Sequence, residues 1–195
     1  YIYSPSSAVR DKAAFRRGVK RLTALGHAVE IDTAALATHM RFAGEDATRL
    51  AAIDRAAASG ANVALISRGG YGLTRILPGI AYKKVAKAIE SGTQFVGLSD
   101  FTAFQTALLA QTGAITWAGP ALGEDFGVEG TPDDIMEACF EDLVLDQGEG
   151  TGWRLPFERG LKSPETIADN DHSTPGSGQK TIHNAVLWGG NLSVL

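Results

Sequence analysis

The segment QFVGLSDFTAFQTALLAQ, residues 94–111, indicates the fold class of this chain. Its first four residues, Gln94–Gly97, are mainly apolar and predict a strand, whereas residues 100–111 predict a strongly apolar helix. Only Leu98 and Ser99 stand between the two, so the connection is a tight turn. A strand that passes at once into a helix is the unit from which parallel sheets with flanking helices are built.

The same alternation of short apolar segments and helical periodicity continues on both sides of this segment. Residues 62–66, NVALI, form an apolar run without alternation, as expected of a strand that is buried on both faces. We therefore predict an α/β fold with an open, mainly parallel, Rossmann-like sheet flanked by helices. The predicted elements in chain order are strand 1–4, helix 11–25, strand 28–31, helix 45–58, strand 62–66, helix 82–91, strand 94–97, helix 100–111, strand 114–117 and helix 132–143.

The composition limits the classes of partner. The chain has 195 residues, of which 44% are hydrophobic and 21% are charged, as in an ordinary soluble globular protein. Its formal net charge is −4 with both signs interspersed, so neither nucleic acid nor a membrane surface is favoured as a partner. No apolar run approaches the roughly eighteen residues of a membrane helix. The single cysteine, Cys139, excludes internal disulfides and multi-cysteine metal sites, and we expect it in the core.

The character of the sequence changes after residue 145. Residues 153–157 predict an edge strand, 158–180 are polar and rich in Ser, Pro, Gly and Asp, and strand character returns at 182–188. We predict an N-terminal α/β nucleophile domain at 1–157. Residues 158–195 then form a polar linker and the start of a truncated C-terminal domain. Both ends of the chain fall in apolar segments, which suggests a piece of a longer protein.

Ser99 lies in the predicted turn, where its hydroxyl would stand above the carboxyl edge of the sheet. This is the geometry of a nucleophile elbow, in which the N-terminus of the next helix offers N–H groups to an oxyanion. Ligands of open α/β sheets bind at this edge. The match to G-x-S-x-G is incomplete because Phe101 replaces the second glycine. The alternative is that Ser99 and Asp100 only cap the helix.

A glycine-rich loop, SRGGYG at residues 67–72, follows the buried strand at the same edge. Its three glycines let the backbone approach a ligand closely. Neither phosphate-loop pattern, G-x-x-x-x-G-K-[ST] or G-x-G-x-x-G, is present. An oxyanion or carboxylate site fits better, with Arg68 or neighbouring N–H groups as donors. The alternative is a tight turn without a ligand. Trp117, which ends the next strand, could line a pocket or serve a structural role.

A serine nucleophile needs a base, and the four histidines differ in position. His27 precedes a predicted strand and so lies at the amino edge, away from Ser99. His172 and His183 lie in or beside the polar linker. His39 follows the second predicted strand at the correct edge, but its surroundings suit a loop histidine equally well. No carboxylate is spaced to orient any of them, and the Asp100 side chain is expected to point away from the serine hydroxyl.

Four segments in order resemble the LD-carboxypeptidase family, which includes the microcin C self-immunity hydrolases. They are YSPS at 3–6, RGGYG at 68–72, GLSDFT at 97–102 and LWGGNLS at 187–193. The family cleaves the bond between an L-amino acid and a terminal D-alanine in peptidoglycan fragments. The resemblance implies that Ser99 is the nucleophile and that the N–H groups of Gly70 and Asp100 bind the oxyanion. We also expect Arg68, Gly69 and Tyr71, in the same loop, to take part in oxyanion or substrate binding.

The resemblance also implies what the chain lacks. The Glu and His of the family's Ser–His–Glu triad lie beyond the GGNL segment, so we expect residues 1–195 alone to be inactive. The expected parent is a cytoplasmic serine carboxypeptidase of muropeptide recycling that works through an acyl-enzyme, without metal or cofactor. We expect this chain to form a homodimer or to associate with its own C-terminal fragment. The alternative function is a non-catalytic domain that binds a peptide or its carboxylate.

Overall fold

The computed structural model describes residues 1–145 and 189–191. Its strands are β1 (Ile2–Tyr3), β2 (Val63–Ile66), β3 (Gln94–Gly97) and β4 (Trp117–Ala118). Its α-helices are α1 (Lys12–Ala24), α2 (Asp46–Ala58), α3 (Leu73–Ile76), α4 (Tyr82–Glu90), α5 (Phe101–Thr112) and α6 (Asp134–Leu145). A 3₁₀ turn at Leu77–Gly79 and a π-helical turn at Leu122–Phe126 complete the described elements.

The four strands form one parallel sheet whose spatial order, β1-β2-β3-β4, is also their order along the chain. Tyr3 pairs with Ile66, Leu65 with Val96, and Gly97 with Ala118 at the end of the sheet. The predicted α/β class with a parallel sheet and flanking helices is confirmed. All carboxyl ends of the strands therefore meet at one edge.

Two apolar cores lie on opposite faces of the sheet, because successive side chains of a strand alternate between its faces. On one face Tyr3, Ile66 and Phe95 pack against residues of α2, α3, α4 and α5. On the other, Leu65 and Val96 pack against residues of α1, the π-helical turn and α6. The strand β2 is thus buried on both faces, as its unbroken apolar sequence predicts.

Three predicted elements differ in the structure. Residues 28–31 form only a single bridge, from Ile31 to Ile2, because the chain turns directly afterwards at Asp32, whose carboxylate accepts the Ala34 N–H at 2.8 Å. The strand predicted at 114–117 is reduced to Trp117–Ala118, the two residues that pair with β3. The last helix begins at Asp134 rather than residue 132, since the Asp133 carboxylate accepts the Met136 N–H.

Other predictions concern single residues and the domain boundary. Cys139 is half-buried, and the core position beside it belongs to Phe140, which is 6% exposed. The predicted boundary at residue 157 and the predicted strands at 153–157 and 182–188 lie outside the described residues. Within the described part of the chain, every helix is too short or too polar to cross a membrane.

Candidate active site

Ser99 lies in the turn between β3 and α5 with φ +62°, a backbone conformation that costs a residue with a Cβ roughly 1–2 kcal/mol. Met40 is the other non-glycine residue with positive φ among those described. Such a conformation persists only where the surroundings impose it, and it is typical of functional turns. The structure therefore places Ser99 at the carboxyl edge of the sheet, at the start of α5.

Phe101 explains why the turn departs from the G-x-S-x-G pattern. Its ring is fully buried and stacks on Phe104 with 4.9 Å between the ring centroids. A Cβ at Gly97 would lie 2.6 Å from this ring. The close approach of strand and helix is thus made by the glycine before Ser99, while Phe101 anchors the first turn of α5 in the core.

The glycine-rich loop packs directly against Ser99. A Cβ at Gly69 would lie 2.6 Å from the Ser99 Cβ, and Gly70 has φ +122°, a conformation that side chains disfavour. Tyr71, at the outer side of the loop, is 70% exposed. The two segments singled out in the sequence are therefore in contact.

Two backbone donors beside Ser99 are not used by the described residues. Neither the Gly70 N–H nor the Asp100 N–H has a hydrogen-bond partner within residues 1–145 and 189–191. By contrast, the Gly69 N–H donates to Glu124 at 3.3 Å and the Tyr71 N–H donates to the Ser7 hydroxyl at 2.9 Å. Unpaired donors from two segments beside a strained serine are the arrangement that an oxyanion site requires.

The Asp100 side chain is buried, with 2% exposure, and contacts other groups than Ser99. Its Oδ2 accepts the Ser6 hydroxyl at 2.5 Å and the Leu73 N–H at 3.4 Å. Burial raises the pKa of Asp100 above its usual value, and these two hydrogen bonds and the charges of Arg49 and Arg68 only partly oppose that shift.

Ser6 and Ser7 link the chain's beginning to the glycine-rich loop. The Ser6 hydroxyl lies 3.1 Å from the Tyr71 carbonyl oxygen, and Ser7 accepts the Tyr71 N–H. Neither serine caps α1, whose N-cap is Asp11 with its carboxylate accepting the Ala14 N–H. Their role was missed because only the fold brings them to residue 71.

Glu124 and Arg49, which the sequence analysis did not single out, also hold this loop. The Arg68 guanidinium lies 3.4 Å from the Glu124 carboxylate, which extends from the π-helical turn after β4. Arg49, which is fully buried, donates to the Gly72 carbonyl at 2.7 Å and lies over the Phe42 ring at 4.8 Å. The position of Glu124 after a strand, at the carboxyl edge, was the one available signal.

The fourth segment of the resemblance meets the start of α5. The Asn191 N–H donates to the Thr102 hydroxyl at 3.0 Å, and a Cβ at Gly190 would lie 2.6 Å from the same oxygen. Gly190 itself has φ +148°. Residues 189–191 therefore contact the helix turn that directly follows Ser99.

None of the histidines in the described range is hydrogen-bonded to Ser99. His39 is exposed and pairs through its backbone with Phe42, and His27 packs edge-on against Phe140 at 6.2 Å. His172 and His183 lie outside the described residues. Trp117 is 46% exposed on β4. The described residues also contain no cluster of three side chains able to bind a metal ion.

Comparisons with known proteins find relatives that match most of this chain. Residues 1–119 match the family described as LD-carboxypeptidase N-terminal domain. A probable murein peptide carboxypeptidase of Bacillus subtilis is 33% identical over 175 residues, which cover 89% of this chain and 48% of that protein.

Solved structures give the same relationship. A muramoyltetrapeptide carboxypeptidase from Oxalobacter formigenes has a TM-score of 0.63 at 34% identity, over 73% of this chain and 46% of that one. The microcin C7 self-immunity protein MccF, in complex with aspartyl sulfamoyl adenosine, has a TM-score of 0.69 at 25% identity, over 80% and 47%. The chain thus spans about half the length of the relatives it matches. With the matched domain covering most of the described residues, the chain belongs to the LD-carboxypeptidase family.

Proposed function

We propose that the protein containing this chain is a serine carboxypeptidase that releases a terminal D-amino acid, such as D-alanine, from L,D-linked peptidoglycan peptides. The observation that carries the proposal is the position of Ser99 on a positive-φ turn, against a loop that offers an unpaired N–H. The similarity to a murein peptide carboxypeptidase and to a muramoyltetrapeptide carboxypeptidase supports this substrate class. Such a peptide arises in cell-wall recycling, so we place the enzyme in the cytoplasm.

In this mechanism the Ser99 Oγ attacks the carbonyl carbon that precedes the terminal D-residue, and its proton passes to a base. The carbonyl oxygen becomes an oxyanion that accepts hydrogen bonds from the N–H groups of Gly70 and Asp100. The C–N bond then breaks, the amine leaves with the proton, and an acyl-enzyme remains on Ser99. Water hydrolyses this ester and restores the serine. A His and a Glu from outside residues 1–195 complete the triad.

Arg68 is the group we assign to the free carboxylate of the substrate. Its guanidinium is 28% exposed beside the Gly69–Gly70 backbone, so it can accept a new anionic partner while it keeps the ion pair with Glu124. A planar guanidinium matches the geometry of a carboxylate. The exposed Tyr71 ring stands at the same loop and would contact the peptide.

The test uses the full-length protein and a serine-directed acylating reagent such as a fluorophosphonate. We expect the label on Ser99, and we expect Ser99→Ala to lower hydrolysis of an L,D-tetrapeptide by about 10⁴- to 10⁶-fold. Ser91→Ala is the matched control, because Ser91 is an exposed serine whose hydroxyl bonds only to the Lys87 carbonyl. Full activity of Ser99→Ala would refute the proposal.

A second candidate is a non-catalytic domain that binds a peptide carboxylate through Arg68 and the loop. The observation that favours it is the Ser99 hydroxyl, which has no hydrogen-bonded base within the described residues. It predicts that Ser99 is not labelled, that no peptide is hydrolysed, and that Arg68→Ala alone abolishes binding in calorimetry.

We also propose that residues 1–195 do not stay monomeric, but form a homodimer or bind the C-terminal remainder of the protein. Light scattering of the purified chain, with and without the C-terminal part, separates these two states. A chain that stays monomeric at high concentration and does not bind the added C-terminal part would contradict both.

A further inference from the structure

The two proposed oxyanion donors belong to different segments of the chain. Gly70 lies in the loop after β2, and Asp100 lies in the turn after β3. Oxyanion binding requires both N–H groups to converge on one oxygen atom, at about 2.7–3.1 Å. Something must therefore hold the loop and the turn at a fixed separation.

The Asp100 carboxyl group makes this connection. Its Oδ2 accepts the Leu73 N–H, directly after the loop, and lies 2.5 Å from the Ser6 hydroxyl. Ser6 in turn lies 3.1 Å from the Tyr71 carbonyl oxygen. The Asp100 side chain is thus connected directly to residue 73 and, through Ser6, to Tyr71, the residue that follows Gly70.

The connection lies in the interior of the protein. Ser6 and Leu73 have no exposed surface, and Asp100 has 2%. The other carboxyl oxygen of Asp100, Oδ1, is buried without a hydrogen-bond partner within the described residues. A buried carboxyl group with an unpaired oxygen lowers stability, so packing alone does not account for an aspartate at this position.

We propose that the Asp100 side chain, bridged by Ser6, is a positioning group that fixes the Gly70 N–H relative to the Asp100 N–H. This inference rests on the proposed function. Asp100 would then act twice, through its backbone as a donor and through its carboxyl group as the brace for the second donor. A displacement of about 1 Å of such a donor lowers a rate by about 10²-fold.

The hydrogen bonds of the Asp100 carboxyl group with Ser6 and Leu73 predict which substitution keeps the connection. In Asp100→Asn the amide oxygen, placed where Oδ2 lies, can accept both the Ser6 hydroxyl and the Leu73 N–H. Asparagine therefore keeps both connections, whereas alanine removes both and leaves the backbone donor of residue 100 in place.

The experiment measures kcat and KM of the full-length enzyme on an L,D-tetrapeptide, together with thermal unfolding. For Ser6→Ala and Asp100→Ala we expect kcat to fall about 10- to 100-fold while KM changes less than about threefold. Asp100→Asn should have a kcat at least about tenfold above that of Asp100→Ala. Ser4→Ala is the matched control, since buried Ser4 bonds to Ala35 and Ser67 but not to this bridge.

The outcomes of these measurements separate the possibilities. The inference is overturned if Ser6→Ala and Asp100→Ala lose no more kcat than Ser4→Ala, or if only KM rises. If Asp100→Ala does not fold, the comparison of Ser6→Ala with Ser4→Ala decides alone. An active Ser99→Ala would overturn the proposed function itself, whereas an inactive Ser99→Ala beside a fully active Ser6→Ala would overturn only the positioning role.

Discussion

Gly69 lies so close to Ser99 that a Cβ on the glycine would be 3.2 Å from the serine Oγ, as well as in collision with its Cβ. The Cβ added at Gly69 would also be 3.3 Å from the Leu98 carbonyl oxygen. The loop after β2 and the turn after β3 are therefore in contact through backbone and serine alone. Any side chain at position 69 must displace one of them.

We therefore expect Gly69→Ala to lower kcat of the full-length enzyme by about 100-fold or more, because the serine or the loop must move by a substantial fraction of an ångström. Fluorophosphonate labelling of Ser99 should slow in parallel. Thermal unfolding should stay cooperative, since the methyl group meets the site rather than the core. An unchanged kcat would mean that the contact between Gly69 and Ser99 is looser than described.

The backbone of Ser99 is strained because a residue with a Cβ disfavours positive φ. At φ +62° a glycine has no steric penalty, so Ser99→Gly should be more stable than Ser99→Ala by about 1 kcal/mol. Both variants lack the nucleophile, so the comparison isolates the backbone from the chemistry. Urea denaturation measures the difference. Equal stabilities would indicate that the turn relaxes once the hydroxyl is removed.

Asp100 should make stability depend on pH in a defined direction. Because burial raises its pKa in the folded state, the folded protein binds more protons than the unfolded one above about pH 4. The favourable contribution is thus complete below the unfolded pKa, and it is lost as the pH rises through the folded pKa.

Asp100→Asn lacks this titration, so its free energy of unfolding relative to the wild type should increase as the pH rises from about 4 towards neutrality. Urea denaturation at several pH values measures the difference. The positive charges of Arg49 and Arg68 act on the same carboxyl group and partly oppose the rise in its pKa. A difference that does not change with pH would contradict the raised pKa.

The contact of residues 189–191 with α5 can be tested by substituting two neighbouring glycines, Gly190 and Gly189. Gly190→Ala should destabilise the protein by about 1–2 kcal/mol, because φ is +148° and the new Cβ would meet the Thr102 side chain. Gly189→Ala is the matched control, since a Cβ there meets nothing within 4 Å. Hydrogen exchange at the Asn191 amide should accelerate in the first variant only. Equal exchange in both would count against this contact.

Residues 1–195 by themselves should hydrolyse L,D-peptides at or near background. Without a base, such a serine retains only the contributions of the oxyanion site and of binding, and losses of about 10⁴- to 10⁶-fold follow. A tetrapeptide assay on the purified chain measures this. Full turnover would require a base within the chain, and His39 would be the first residue to substitute.

The sequence predicts those features that depend on neighbours along the chain. The Ser99 turn follows from a strand and a helix only two residues apart, and the burial of β2 follows from its unbroken apolar run. Residues 28–31, AVEI, also predict a strand, yet Asp32 turns the chain and leaves a single bridge. Local pattern does not say where a strand stops pairing.

The residues that hold the candidate site together could not be predicted from the sequence, for a different reason. Ser6 meets Asp100, Arg49 meets Gly72, and Glu124 meets Gly69, all through hydrogen bonds between residues far apart in sequence. A serine near a proline or an arginine inside a helix carries no local mark of such a partner. Only the packing of the loops at one edge of the sheet reveals these pairs.

The agreement between strand order in the sheet and strand order in the chain bears on how the protein is made. Each of the four described strands joins the edge left by the one before it, so none of these four waits for a partner that the ribosome has not yet produced. Both halves of the Ser99 contact, residues 67–72 and the turn after β3, are synthesised before β4 emerges. The contact between Gly69 and Ser99 can therefore form on the nascent polypeptide before Glu124 and residues 189–191, which also contact this region, are translated.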